Sequence, residues 1–236
     1  MNKSQNKIYY LYIAFSFIFI AVTTNYLNLY DIIFVANQTD SLSYTAIAKN
    51  APLLSGENFF ILNNKEKLIQ QHVAQRFVIP YIIGSIAHFL NIDFFLIFKL
   101  FTLIFIFFYI FLINILIKKL NFNFKVSILF FSILFLNPYV IRYHIFQPIM
   151  AHDMLFFCFG LLFSLTMISK KYFSNLLISI ITIYLRQTSI ALLIGSSIFL
   201  LINKKIKLFL LLFLLSSLSL FLTIKTGQLI SSDTFP

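Results

Sequence analysis

A chain of 236 residues, 60% hydrophobic and 11% charged, with mean hydropathy +0.93, lies far outside the range of soluble proteins. Its net charge of +11 does not point to nucleic acid: the lysines sit in small groups at the ends of apolar runs, with no basic face interleaved with exposed aromatics. The lone Cys158 excludes an internal disulfide framework and a cysteine-based metal site.

The expected fold is all-α: a multi-span helical membrane protein of about seven or eight hydrophobic segments of about 20 residues each. Residues 1–236 form a single transmembrane domain, with a polar first loop over about 31–76 carrying short interfacial helices. MNKSQNK is a basic start, and Ile8 to Tyr30 reads as the first span; it is long and lacks a small-residue cleavage site, which predicts an uncleaved segment. Lys3 and Lys7 place the N-terminus in the cytoplasm and the first loop on the outer face. That loop holds four of the seven acidic residues. Within it Asp40 opens DSLSYTAIAK, read as an interfacial helix with Tyr44, Ile47 and Ala48 on one side.

Phe77 to Ile92 is a short apolar segment punctuated by Pro80 and Gly84, and Phe94 to Ile117 is a full span. Lys118, Lys119 and Lys125, then Lys170 and Lys171, then Lys204, Lys205 and Lys207 all read as cytoplasmic. Either Phe77 to Ile92 therefore dips in and returns to the outer face, or it crosses and the charge rule fails once at Lys118; the expectation leans to the crossing. Val126 to Ile141 rises, Met154 to Ser169 descends, and NPYVIRYHIFQPIMAHD lies between them. Asn175 to Leu185 and Gln187 to Ile202 are each too short to span comfortably and meet at Arg186, the pattern of a broken helix pair whose free backbone ends face an interior. Ile206 to Ile224 is the last span.

Phe, Ile, Leu, Asn and Lys dominate a chain without Trp, so aromatic stripes are read as lipid-facing filler. The same bias gives weight to the three arginines, Arg76, Arg142 and Arg186, against fifteen lysines: each lysine pair flanks a span, whereas each arginine interrupts or borders an apolar run at or near membrane depth. A guanidinium presents a planar fork to phosphate oxygens and keeps its charge when desolvated. Together with a carboxylate able to deprotonate a hydroxyl, this constellation suits a phosphate-bearing lipid. Each candidate has a structural competitor: Asp40 and Asp153 sit where helix caps belong, Arg142 and Arg76 could snorkel to head groups, and Arg186 could tie the free carbonyls of a broken helix.

The patterns D-S-x-x-Y-x-x-x-A (Asp40 to Ala48), H-x-x-x-R-x-x-x-P (His72 to Pro80), N-P-Y-x-x-R with Pro148 and Asp153, and Leu185-Arg186-Gln187-Thr188 resemble the C-type glycosyltransferase superfamily. These are multi-span enzymes that use polyprenyl-phosphate-linked sugars, and the resemblance extends from Ile8 to Ile202. Members are usually longer, so the chain is expected to be a shortened one. The resemblance implies a plasma-membrane enzyme with Asp40 catalytic and Arg76, Arg142, Arg186, His72 and His144 toward the lipid phosphate or donor. Tyr44, His152 and Asp153 would support them, Asp153 by holding an arginine or a metal. Some relatives use a divalent cation and others do not, so the metal stays open, and no motif names the sugar, the acceptor or an oligomeric state. Two other classes stay open: a lipid or small-molecule transporter or flippase, and a non-catalytic membrane subunit.

Overall fold

The computed structural model describes residues 3–23, 39–52, 74–137, 140–141 and 143–230. Among them the chain is helical throughout, with no strand. In order come α1 (Lys3–Thr23), α2 (Thr39–Asn50), α3 (Val78–Leu90), α4 (Phe94–Lys119), α5 (Phe124–Phe135), the single turn α6 (Tyr143–Phe146), α7 (Ala151–Ile168), α8 (Tyr172–Ile181), α9 (Ile190–Ile202) and α10 (Ile206–Ile230). Short 3-10 turns at Pro148–Met150, Thr182–Tyr184 and Gln187–Ser189 lead into α7 and break the chain between α8 and α9. Among the described residues, four helical stretches are long and apolar enough to cross a membrane: Gln5–Val22, Phe94–Lys119, Pro148–Ile168 and Ile206–Ile230. The shorter apolar helices are Val78–Leu90, Phe124–Phe135, Tyr172–Tyr184 and Ile190–Ile202.

Helix-to-helix turns repeat one backbone device. Asn91, Asn121, Lys170 and Lys204 each adopt a left-handed conformation, with φ of 53°, 53°, 52° and 56°. The next amide then reaches back five residues: Ile92 to Ala87 (3.0 Å), Phe122 to Ile117 (3.3 Å), Lys171 to Thr166 (2.9 Å) and Lys205 to Leu200 (2.8 Å). This motif satisfies carbonyls that a helix end would otherwise leave bare. At two of these turns the following helix is capped, Asp93 accepting from Phe95 N (2.9 Å) and Asn123 from Val126 N (3.0 Å).

The central pair is α4 and α7. Thr102 Oγ1 donates to Pro148 O (3.1 Å) and Cys158 Sγ to Phe105 O (3.3 Å), which registers the start of α7 against the first half of α4. A second core runs on along the same pair through Ile113, Leu116 and Leu165, with Phe131 and Phe135 of α5 and Tyr9 and Ile13 of α1. Asn175 joins α7, α8 and α9: its Nδ2 donates to Thr166 Oγ1 (3.1 Å), and Ser196 Oγ donates to its Oδ1 (2.6 Å). Such side-chain bonds hold helices together where hydrophobic contrast with the surroundings is weak. The α7–α8 and α9–α10 turns lie side by side, since Tyr172 stacks on Phe199 (5.3 Å), donates to Asn203 Oδ1 (3.2 Å) and carries Lys205 Nζ over its ring (5.0 Å).

Two expectations change. The segment expected to rise over Val126 to Ile141 is not one continuous helix: α5 ends at Phe135 and the backbone turns at Leu136 and Asn137, ahead of Pro138. The helix opened by Asp40 is not amphipathic: Ser41, Ser43, Tyr44, Thr45, Ala46, Ile47 and Ala48 are all buried. Small side chains let its backbone come close on several sides, and a Cβ on Gly84 of α3 would stand 2.6 Å from Ala48 Cα. Tyr81 of α3 adds a hydrogen bond to Pro52 O (2.6 Å).

Candidate functional site

Five separate parts of the chain meet at the level where α7 begins. From α2 comes Tyr44, fully buried, with Asp40 one turn before it and half-buried. Arg76, half-buried just ahead of α3, donates from Nη1 to Tyr44 Oη at 3.3 Å. The first turn of α7 supplies His152 and Asp153; the His152 ring lies 4.4 Å from the Tyr44 ring, tilted by 53°. The break between α8 and α9 supplies Arg186, whose Nε stands 3.4 Å from Asp153 Oδ1, and His152 Nε2 stands 3.4 Å from the same oxygen. Finally α6 brings Tyr143 and His144, which feel the charges of Asp153 and Arg186.

The local sequence explains these placements. Pro148 and the 3-10 turn over Pro148–Met150 set the start of α7, so Asp153 falls in its first turn. There a carboxylate also faces the positive end of the helix. Asp153 does not cap the helix, as a cap position requires, but pairs with Arg186. Arg186 is presented by two consecutive 3-10 turns, and its own amide donates back to Thr182 O (3.1 Å), leaving the side chain 31% exposed while Asp153 is 5% exposed. The cation therefore lies at the edge of the cluster and the anion in its floor.

Polar atoms in this floor are left with open capacity. Among the described residues, Arg76 Nε, Arg186 Nε, Asp153 Oδ1, His144 Nε2 and both ring nitrogens of His152 are buried without a hydrogen bond. The ion-pair distances to Asp153 are short, yet the nitrogens are not aimed for hydrogen bonding. Native interiors hold few such atoms, and their gathering in one place marks this floor as the candidate site.

His144 Nδ1 bonds to Val140 O, an oxygen that can only accept, so the proton sits on Nδ1 and Nε2 carries a lone pair. Burial lowers the pKa of this imidazole, partly offset by the bond to Val140 and by the Asp153 charge. It is therefore neutral, and its free nitrogen repels a phosphate oxygen and accepts from a donor. The phenols of Tyr44 and Tyr143 are raised by burial, against the pull of Arg76 on the first and Arg186 on the second, and stay protonated. Both also feel the carboxylates of Asp153 and Asp40. Among the described residues, two arginines and two carboxylates thus share the cluster.

Of the residues singled out from the sequence, Asp40, Tyr44, Arg76, His144, His152, Asp153 and Arg186 come together, while His72 and Arg142 lie outside the described residues. Tyr143 was not singled out, although it stands between Arg142 and His144 in the motif that carried both. Among the described residues no group of three or more His, Cys, Asp or Glu side chains is placed to hold a metal ion. A search of protein-family models, curated proteins and solved structures gave no match to this chain.

Proposed function

We infer that the protein is a membrane glycosyltransferase that moves a sugar from a polyprenyl-phosphate-linked donor to an acceptor hydroxyl at the outer face of the plasma membrane. The observation that carries this reading is the convergence of Asp40, Arg76 and Arg186, from three distant parts of the chain, around buried polar atoms that have no hydrogen bond among the described residues. Arg76 and Arg186 would grip the phosphate and stabilise the charge that develops as the bond from the sugar C1 to the phosphate oxygen breaks. Asp40 would take the proton of the attacking hydroxyl. The phosphate leaves as a stable anion, so no separate strong acid is required.

The topology that goes with this reading uses all eight apolar helices, four long and four short. In it the lysine-bearing turns after α4, α7 and α9 face the cytoplasm, and the α3–α4 turn with Asn91 and Asp93 faces out. Helix α3 has 13 residues, about 20 Å, and starts at the level of the site, so it climbs back to the outer surface without crossing. The dip-and-return alternative then replaces the crossing, and the charge rule holds at Lys118. Helix α4, 26 residues and about 39 Å long, fits one full crossing. Its Thr102, level with the site, lies about 13 Å from the outer end, so the site is sunk in the outer leaflet. Catalysis there suits a lipid-borne donor.

The test is transfer by purified protein in proteoliposomes. Asp40→Asn is expected to abolish transfer while leaving insertion and thermal stability unchanged; undiminished transfer would remove Asp40 from the mechanism. A glycan comparison of wild-type and deletion cells then separates an enzyme from a structural subunit, which would leave the glycans intact.

A further inference from the structure

One carboxylate oxygen in the site has two claimants. Asp153 Oδ1 stands 3.4 Å from Arg186 Nε and 3.4 Å from His152 Nε2, and hydrogen-bonds to neither. The claimants differ in access: Arg186 is 31% exposed, whereas His152 is fully buried with both ring nitrogens unpartnered among the described residues. The exposed one can leave. The buried one cannot, and among the described residues it has nothing else to bond.

We propose that Asp153 is a positioning residue that holds Arg186 until an anion takes it, and that the His152–Asp153 pair accepts one proton from water in exchange. This rests on reading the site as one that binds an anionic headgroup. When Arg186 turns its fork to an incoming phosphate oxygen, Asp153 is left buried without its counter-charge. A buried carboxylate in that state is far more costly than a protonated one. His152 is already at ion-pair distance, so the two side chains hold the proton between them and the pair stays neutral in place of the guanidinium–carboxylate pair that was broken. Charge is conserved in the floor of the site, and the anion's own charge is met at the edge.

The other groups around Asp153 do not substitute for Arg186. Arg76, from the segment ahead of α3, is engaged by Tyr44 of α2 and reaches for the same anion. His144 of α6 has its one proton committed to Val140. Tyr44 and Tyr143 are neutral phenols, and Asp40, which acts on both of them, is a further negative charge. Arg142, adjacent in sequence to Tyr143, lies outside the described residues.

The experiment is a calorimetric titration of the full-length protein in uncharged detergent. The probes are sodium sulfate and, in a second arm, dihexanoyl phosphatidylglycerol; neither changes charge near neutral pH. Each is run in two buffers of different ionisation enthalpy, so that the number of protons exchanged is read directly. Wild type is expected to take up one proton per anion, with affinity falling about tenfold per pH unit as pH rises from the pair's pKa in the free protein to its higher pKa in the complex. In Asp153→Asn, Arg186 is released and nothing needs neutralising, so binding should tighten, lose its pH dependence and exchange no proton. A merely structural role for Asp153 would not move the proton count. Uptake with the lipid but not with sulfate supports the inference and makes a lipid headgroup the source of the anion; uptake with both supports it for anions in general. Binding by wild type without proton uptake overturns the inference and leaves the anion site standing. Failure of both probes to bind overturns the anion reading and the inference with it. The wild-type count decides the matter even where the variant does not fold.

Discussion

Gly84→Ala tests the link between helix packing and the site. The added Cβ would lie 2.6 Å from Ala48 Cα and closer still to the Ala48 carbonyl oxygen. These are backbone atoms, so no rotamer change relieves the contact. Ordinary approach begins near 3.4 Å, so α2 must back away from α3 by about 1 Å or more. Overpacking of this kind costs about 1–3 kcal/mol. Because α2 also carries Asp40 and Tyr44, the same shift opens the 3.3 Å bond from Arg76 to Tyr44 and moves the carboxylate off its target. Misplacement of about 1 Å at a reacting centre costs about 100-fold in rate. Two other glycines calibrate the measurement. A Cβ on Gly160 meets nothing within 4 Å, so Gly160→Ala should be neutral or raise stability by up to about 1 kcal/mol through helix propensity. On Gly195 it would stand 3.2 Å from the Phe163 ring, a side chain that can give, so Gly195→Ala should fall between the two. Thermal unfolding in detergent and transfer in proteoliposomes would be measured side by side for the three variants. The reasoning is refuted if Gly84→Ala is as stable and active as wild type, or if Gly160→Ala is the more damaging change.

Three further outcomes can be checked on purified protein. Lys170 holds a left-handed backbone that costs an L-residue about 1–2 kcal/mol, so Lys170→Gly should stabilise by about 1 kcal/mol, and an unchanged unfolding midpoint would contradict the turn geometry. Asn175→Ala removes the acceptor of Ser196 and the donor to Thr166 and should cost about 1 kcal/mol, read as a lower midpoint with the site's activity retained. Burial holds His144 neutral in the fold, while in the unfolded chain it titrates near its ordinary pKa of about 6.5. The unfolded state therefore binds more protons below that pH, and the stability margin from this residue should shrink as pH falls from about 6.5. His144→Gln should remove that part of the acid slope, and an identical slope in both proteins would count against it.

Much of the helical pattern was legible because apolar runs longer than about 18 residues leave little choice of structure. The helices α4 and α7 and the break at Arg186 fall within a few residues of where the runs place them, and α10 begins where its run begins but continues past Ile224 to Ile230. Contacts between distant parts of the chain were not legible. The segment after Asp40 read as amphipathic because Tyr44, Ile47 and Ala48 share a side, yet its serines and threonines are as buried as its apolar residues. Small polar side chains carry no mark of whether they face water or a close helix. Asp153 is the exception: its own position read as a cap, but the resemblance implied that it holds an arginine or a metal, and Arg186, thirty-three positions downstream, stands 3.4 Å from it. Gly84 read as punctuation, since what a glycine makes room for is decided by what approaches it.

The repeated left-handed turns bear on how such a chain assembles. Each closes on atoms within six successive residues, so a pair of helices can dock as soon as both have left the ribosome, without waiting for later segments. The cluster around Asp153 is the opposite case, because Asp40 and Arg76 are made long before Arg186. Until the stretch beyond α8 is synthesised, the carboxylate in α7 has no guanidinium beside it at its 3.4 Å partner position. In newly inserted chains that carboxyl group therefore waits for its guanidinium, and the finished charge pattern is acquired last, when α8 is already in place.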